Sequence, residues 1–295
     1  MTAALDTFVA RSLNRPTPAF VAEVAGKLAG SGALTVLFYG SNLRTGARDG
    51  VLDFYVLTDD APERGIWPRV GYIEFPHGGG TLRAKIATVT LATFARAAAG
   101  RSLDTTIWAR FVQPAAIVWT ADEGAAGRTR EAVAAAAVTA ARFAAALGPG
   151  RGSALDHWRA LFRHTYAAEF RVEAQGREDG IVDHEPERYA ALLPLAWEAG
   201  GVAFSAEGDA LAPRVDPAER ARLLRRWRWR RRWGKPLNLA RIVRAAWTFE
   251  GAGAYGLWKV ERHTGVRVPL TPWRARHPVL AAPGVLWRVW RARRT

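Results

Sequence analysis

The sequence predicts an α+β protein, with a mixed-sheet domain over residues 1–120, a helical domain over 121–209 and a basic, Trp-rich region over 210–295. Three observations lead there. Short apolar runs broken by Gly and Pro fill the first part, an Ala-rich stretch with widely spaced larger apolar residues follows, and after Asp209 arginine, tryptophan, proline and glycine dominate. At 295 residues and 49% apolar content, the chain has ample material for a core. The absence of cysteine removes disulfides, thiolate metal sites and cysteine nucleophiles. The N-terminus lacks the basic start, apolar run and cleavage site of a signal peptide, so none is expected. No stretch reaches the ~18 uninterrupted apolar residues of a spanning helix.

Thr17-Pro18 reads as an N-cap with proline in the first turn, and Phe20, Val21, Val24 and Leu28 then recur at helical spacing up to Gly30. A strand is expected from Leu34 to Tyr39, a Gly40-Ser41 break after it, and a second strand from Val51 to Leu57. Pro62, Gly65 and Pro68 mark a loop before a strand from Val70 to Phe75, which Pro76 to Gly80 should end. Thr81 to Leu91 alternates as a strand with Lys85 inside it, and Ala92 to Ala99 reads as a helix. Ile107 to Trp119 is apolar again, interrupted by Arg110 and Pro114. Helices are expected over Glu123–Leu147, Ala154–Glu169 and Pro186–Ala199, the first from alanine propensity, the second from one apolar side carrying Trp158, Leu161 and Phe162.

Asp53 lies inside an apolar strand, where a carboxylate is costly unless it is paired or holds a metal. Gly40-Ser41 sets small side chains and backbone N–H groups at the mouth of the preceding strand, a shape that suits phosphates. Together they form the skeleton of a nucleotidyltransferase centre, in which carboxylates hold Mg²⁺. The second acid expected two residues on is Tyr55. A tight turn with a strand-end Asp is the bland alternative. The six histidines show no metal-ligand spacing.

The stretch Phe38-Tyr39-Gly40-Ser41 through Val51-Leu52-Asp53-Phe54 resembles the tyrosine-glycine-serine and aspartate-phenylalanine motifs of the mitochondrial phosphatidate cytidylyltransferases. Residues 80–89 resemble that family's lysine-bearing strand, residues 107–114 its glycine-arginine…lysine-proline segment, and residues 166–171 a segment ending acid-Phe-Arg. The order of these four blocks is the signal. Asn42 and Ala109 stand where the family carries glycine. The resemblance implies a nucleotidyltransferase-like first domain that joins CTP to phosphatidate, giving CDP-diacylglycerol and pyrophosphate. It implies Gly40, Ser41, Lys85 and Arg110 as nucleotide-binding residues and Asp53 and Lys85 as catalytic ones. Glu169 is the candidate second Mg²⁺ ligand and catalytic acid beside Asp53, with Glu74 and Asp49 behind it. As plainer alternatives, Lys85 snorkels at a sheet edge and Arg110 makes a structural ion pair.

An excess of 42 Lys+Arg over 27 Asp+Glu points to a polyanionic partner. Much of the excess lies in residues 222–233 and 287–294, interleaved with tryptophan. Such a run can be a solvated helix face, a nucleic-acid surface with tryptophans stacked on bases, or a membrane surface with tryptophans at headgroup level. Val285, Leu286, Val289 and Trp290 fall opposite Arg288 and Arg291 on a short helix, which favours a peripheral protein on the cytoplasmic face of an anionic membrane. Trp227, Trp229, Arg230, Arg231, Lys259, Trp287 and Trp290 are the candidate lipid contacts. Residues 254–263 are either the lipid-phosphate end of the site or a surface helix. A catalytically degenerate module that binds RNA or lipid, and transfer to another acceptor, remain the alternative functions.

Overall fold

The computed structural model describes residues 2–30, 32–47, 50–77, 80–168, 179–248 and 252–292. The chain opens with α1 (Ala3–Leu13), whose start is capped by the Thr2 hydroxyl and whose Leu5, Val9 and Leu13 are buried. Its i, i+4, i+8 spacing carried the signal, although no helix was expected there. α2 (Ala19–Leu28) starts one residue later than the Thr17 cap implied, since Pro18 occupies the N-cap position without a side-chain bond. Next come β1 (Ala33–Tyr39), the single-turn α3 (Ser41–Thr45), β2 (Val51–Thr58), β3 (Arg69–His77) and β4 (Gly80–Thr90). Pro76 does not end β3 early, because β3 is an edge strand and a proline there forfeits no ladder bond on its open side.

α4 (Leu91–Ala98) leads to α5 (Thr106–Phe111) and β5 (Ala115–Thr120), so the apolar run from Ile107 to Trp119 is a helix and a strand joined near Pro114. The five strands form one mixed sheet in the order β3-β4-β2-β1-β5. Only β2 and β4 run parallel, because β4 inserts between β2 and the edge strand β3. One sheet face, with Val36, Phe38, Leu52, Phe54 and Ile86, packs against Phe20, Val21 and Val24 of α2. The other, with Leu37, Tyr55, Leu57 and Val89, packs into a layer of helices.

That layer centres on α6 (Glu123–Leu147), capped by Asp122 and so rich in alanine that neighbouring helices approach closely. After β6 (Gly152–Ser153) come α7 (Ala154–Ala168), α8 (Asp179–His184) and α9 (Pro186–Ala199). β7 (Ala203–Glu207) and β8 (Ala210–Arg214) pair as a hairpin across position 210, with β6 on the other side of β8. α10 (Pro217–Thr248), α11 (Ala252–Thr264), α12 (Pro272–Arg276) and α13 (Pro278–Ala292) complete the chain.

α10 is no free-standing basic helix. Leu223, Trp227 and Arg230 turn inward, the last two only 4% and 3% exposed. Trp227 packs against the rings of Phe143 and His164. Arg230 lies over Phe143 and donates to the carbonyls of Gly100 and Ser102, and burial lowers its pKa to about 10. These two expected lipid contacts are therefore part of the interior, because their spacing places them on the helix side that packs on α6 and α7. Farther along, Arg241 pairs with the buried Asp104 at 2.5 Å and lies over the Trp67 ring.

Candidate functional site

The sheet register assembles the site. Asp53 stands opposite Tyr39 on β1 and opposite Lys85 on β4, and Lys85 stands opposite Tyr72 on β3. Tyr72, Lys85, Asp53 and Tyr39 thus form a row across one sheet face. Behind that row the face is covered by helices, and in front of it a cleft of about 230 Å³ opens. Lys85 is not at a sheet edge, since β4 is flanked by β2 and β3. The snorkelling alternative therefore fails.

Gly40 ends β1 with φ 93°, a conformation that favours glycine. A Cβ at this position would come within 3.0 Å of Asp53 Oδ2, so the missing side chain is what lets the carboxylate face the Gly40-Ser41 backbone. Asn42 is buried and donates to the Ala47 carbonyl, closing the turn that holds Ser41 at the cleft. Gly40, Ser41, Asp53, Lys85 and Arg110, which come from separate motifs, all line the one cleft.

Arg110 comes from α5, whose first turn is held by Asp104 accepting from Ile107 N and from the Thr106 hydroxyl. Its guanidinium lies over the rings of Tyr39 and Tyr55 and donates to the Tyr55 hydroxyl at 3.1 Å. The position where a second carboxylate was sought thus carries a hydroxyl that orients a cation. Burial raises the pKa of Tyr55, partly offset by Arg110, so the phenol stays protonated. Burial also raises Tyr39 well above the usual phenol range, with Arg110 opposing and the Asp53 charge adding to the rise.

Arg44, Gln113, Pro114 and Tyr166 complete the lining. Neither Arg44 nor Tyr166 was singled out as a site residue, although Tyr166 opens the 166–171 block; the short α3 and the end of α7 reach the cleft only through the fold. Arg44, Lys85 and Arg110 face one carboxylate, Asp53, among the described lining residues. That balance suits a polyphosphate.

Glu74 lies farther out on the edge strand, where it accepts from Tyr72 Oη at 2.7 Å and pairs with Arg83 at 3.3 Å. It is not in the cleft lining. Glu169 and Asp49 fall outside the described residues. Among the described residues no three His, Asp or Glu side chains gather as a metal site. A single carboxylate facing a backbone cradle nevertheless fits Mg²⁺, which keeps several waters and takes one or two carboxylates plus phosphate oxygens.

α11 borders the open end of the row. The Tyr255 ring lies 5.1 Å from that of Tyr72, and burial, with the charge of Asp53, raises the Tyr255 pKa. Arg83 and Arg262 both lie against the Trp258 ring, at 5.4 and 5.3 Å. Lys259 belongs to α11, its side chain outside the described residues.

Of the remaining expected lipid contacts, Trp229, Arg231, Trp287 and Trp290 are exposed, Trp229 and Trp287 at 55% each. Large apolar side chains that stand exposed concentrate here: among the described residues, all but Ile73 and Leu103 lie at or beyond Trp229. No described helix is long and apolar enough to cross a membrane. No protein-family model and no curated protein matches the chain.

Proposed function

We propose that this protein is a nucleotidyltransferase that joins the cytidylyl group of CTP to the phosphate of phosphatidate at an anionic membrane surface. The observation that carries the reading is the Asp53 carboxylate aimed at the Gly40-Ser41 backbone in a cleft whose other charged lining residues are Arg44, Lys85 and Arg110. The resemblance to the mitochondrial phosphatidate cytidylyltransferases supplies CTP and phosphatidate as substrates.

In this reading the triphosphate lies along Gly40-Ser41, where a side chain would block it. Lys85, Arg44 and Arg110 offset its charge, and Arg110 is held in place by Tyr55 before substrate arrives, so little reorganisation is needed as charge builds on the leaving group. A phosphatidate oxygen attacks the α-phosphorus, the bond to the β-phosphate oxygen breaks, and pyrophosphate leaves with that electron pair. The nucleophile is already anionic near neutral pH, so no general base is required. Magnesium, when bound, would be held by Asp53 and supplies further neutralisation of phosphate charge. Glu169, three residues beyond Tyr166, remains the proposed second ligand.

The acceptor enters from the α11 side, where Arg83 and Arg262 flank Trp258, and the exposed tryptophans and arginines of α10 and α13 rest on the headgroups. In this reading the protein is peripheral, on the cytoplasmic face of the membrane. The single described carboxylate in the cleft favours, as a second reading, a binding module without turnover.

Purified protein incubated with CTP, Mg²⁺ and phosphatidate vesicles is expected to form CDP-diacylglycerol, and Asp53→Asn to lower the rate by about a hundredfold or more. Absence of product from the unmodified chain, with retained vesicle flotation, would select the second reading. Retarded RNA without flotation would reject the membrane altogether.

A further inference from the structure

α11 has two faces with different neighbours. At about 3.6 residues per turn, Tyr255, Trp258 and Arg262 share one side and meet β3 and β4 at the open end of the cleft. Gly256, Leu257 and Val260 share the opposite side. There a second cavity, of about 170 Å³, lies between α11 and α13, bounded on the α13 side by Ala281, Val285 and Leu286. Its lining is apolar apart from Arg274, whose Nη1 donates to the Pro269 carbonyl at 2.6 Å.

The slot is open space at the surface beside α11. A Cβ built on Gly256 would meet no heavy atom within 4 Å, whereas one on Gly253 would come within 3.0 Å of the Arg274 carbonyl. Gly253 therefore lets α12 close on α11, while Gly256 leaves room beside it. Gly256 itself is exposed, so the slot is a recess open to the surface, and an apolar recess suits an apolar ligand. The slot is also continuous with the surface apolar residues: Leu286 belongs to its lining and is 62% exposed, and Leu280, Trp287 and Trp290 stand exposed on the same helix. Arg288 and Arg291 are exposed among them, and Arg276 stands exposed on α12. An apolar slot opening onto tryptophans and arginines has the chemistry of a hydrocarbon chain whose other end is anionic.

We propose that the α11–α13 slot takes one acyl chain of an anionic phospholipid drawn from the bilayer. α11 then stands between the two ends of one molecule: the chain lies on its Gly256 side, and the phosphate lies on its Tyr255–Trp258–Arg262 side, towards Asp53. The proposal rests on the lipid-acceptor reading above for its meaning, but occupancy of the slot is measurable without turnover. It also gives the acceptor site a preference for a long-chain phosphate over a headgroup phosphate alone.

The test uses the full chain with phosphatidylcholine vesicles containing phosphatidate that carries a diazirine in one acyl chain, with adducts mapped by mass spectrometry after illumination. Adducts are expected on residues 256–260 and 281–286. Gly256→Leu, a substitution that favours the helix, is expected to lower their yield about tenfold, the factor for two methylenes left in water, with unchanged flotation and thermal midpoint. Ala282, also in the lining on α13, gives a second variant: Ala282→Leu fills the same slot and repeats the measurement should Gly256→Leu unfold the chain. Adducts spread over the exposed tryptophans, with neither variant changing their yield, would overturn the slot. Slot adducts without CDP-diacylglycerol would uphold the slot and defeat the transfer reaction. Product formation with no slot adducts would do the reverse.

Discussion

Tyr55 shows how a single residue can mislead when read only along the chain. Its place two positions after Asp53 suggested a missing acid, yet its hydroxyl accepts from Arg110 and its ring supports the same guanidinium. Tyr55→Phe keeps the ring and removes the acceptor. We expect a fewfold rise in the KM for the nucleotide, kcat falling less, and a change in stability within about 1.5 kcal/mol, the net worth of one hydrogen bond. Steady-state kinetics and a urea midpoint separate the two effects. Glu185 offers a pH test. Burial alone would raise its carboxyl, but the two-pronged bond from Arg15, with the charge of Arg188, more than offsets this and lowers the pKa. The folded chain then binds this proton less readily than the unfolded chain. The pair's contribution is therefore present above the ordinary carboxylate range and is lost as pH falls through the lowered value. Urea midpoints taken from about pH 6 downward should show Glu185→Gln less stable than the unmodified chain at the upper end, with the difference closing as pH falls through the lowered value.

At the scale of elements, α10 combines roles that its composition does not separate. Trp227 and Trp229 are two residues apart, yet one is buried against Phe143 and the other stands in solvent. Trp227→Ala is expected to cost about 3–5 kcal/mol by opening a cavity, with flotation of the folded fraction unchanged. Trp229→Ala with Trp233→Ala should lower vesicle flotation severalfold and leave the thermal midpoint nearly unmoved. If the two sets exchanged phenotypes, the assignment of faces would be wrong. Through Arg241 and Asp104 the same helix is tied to the first turn of α5, and α5 carries Arg110. The basic helix thus buttresses the cleft as well as carrying the surface that faces lipid in the proposed reading.

Across the whole molecule, one apolar cluster runs from Leu5 of α1 through the inner sheet face and α6 to Trp197 of α9 and Trp227 of α10. The three stretches distinguished by composition therefore share a core. Local spacing was enough to read β1, β2 and β4, the break at Gly40, and the long alanine helix, because each is written in neighbouring residues. It also marked Gly40, Ser41, Asp53, Lys85 and Arg110 as a set worth testing, and the resemblance ordered them. The insertion of β4 between β2 and β3, which sets Lys85 beside Asp53, is a pairing between distant segments that no local pattern encodes. The same is true of sidedness in α10. Arginine and tryptophan alternate there so densely that either face could have turned inward, and only packing against α6 and α7 selected Trp227 and Arg230. By itself, then, the sequence determined the mixed α and β character, the basic C-terminal region and most of the polar residues that line the cleft. Tertiary structure alone decided which cations meet Asp53, which tryptophans reach the surface and where an apolar slot remains, because each depends on contacts between segments far apart in the chain.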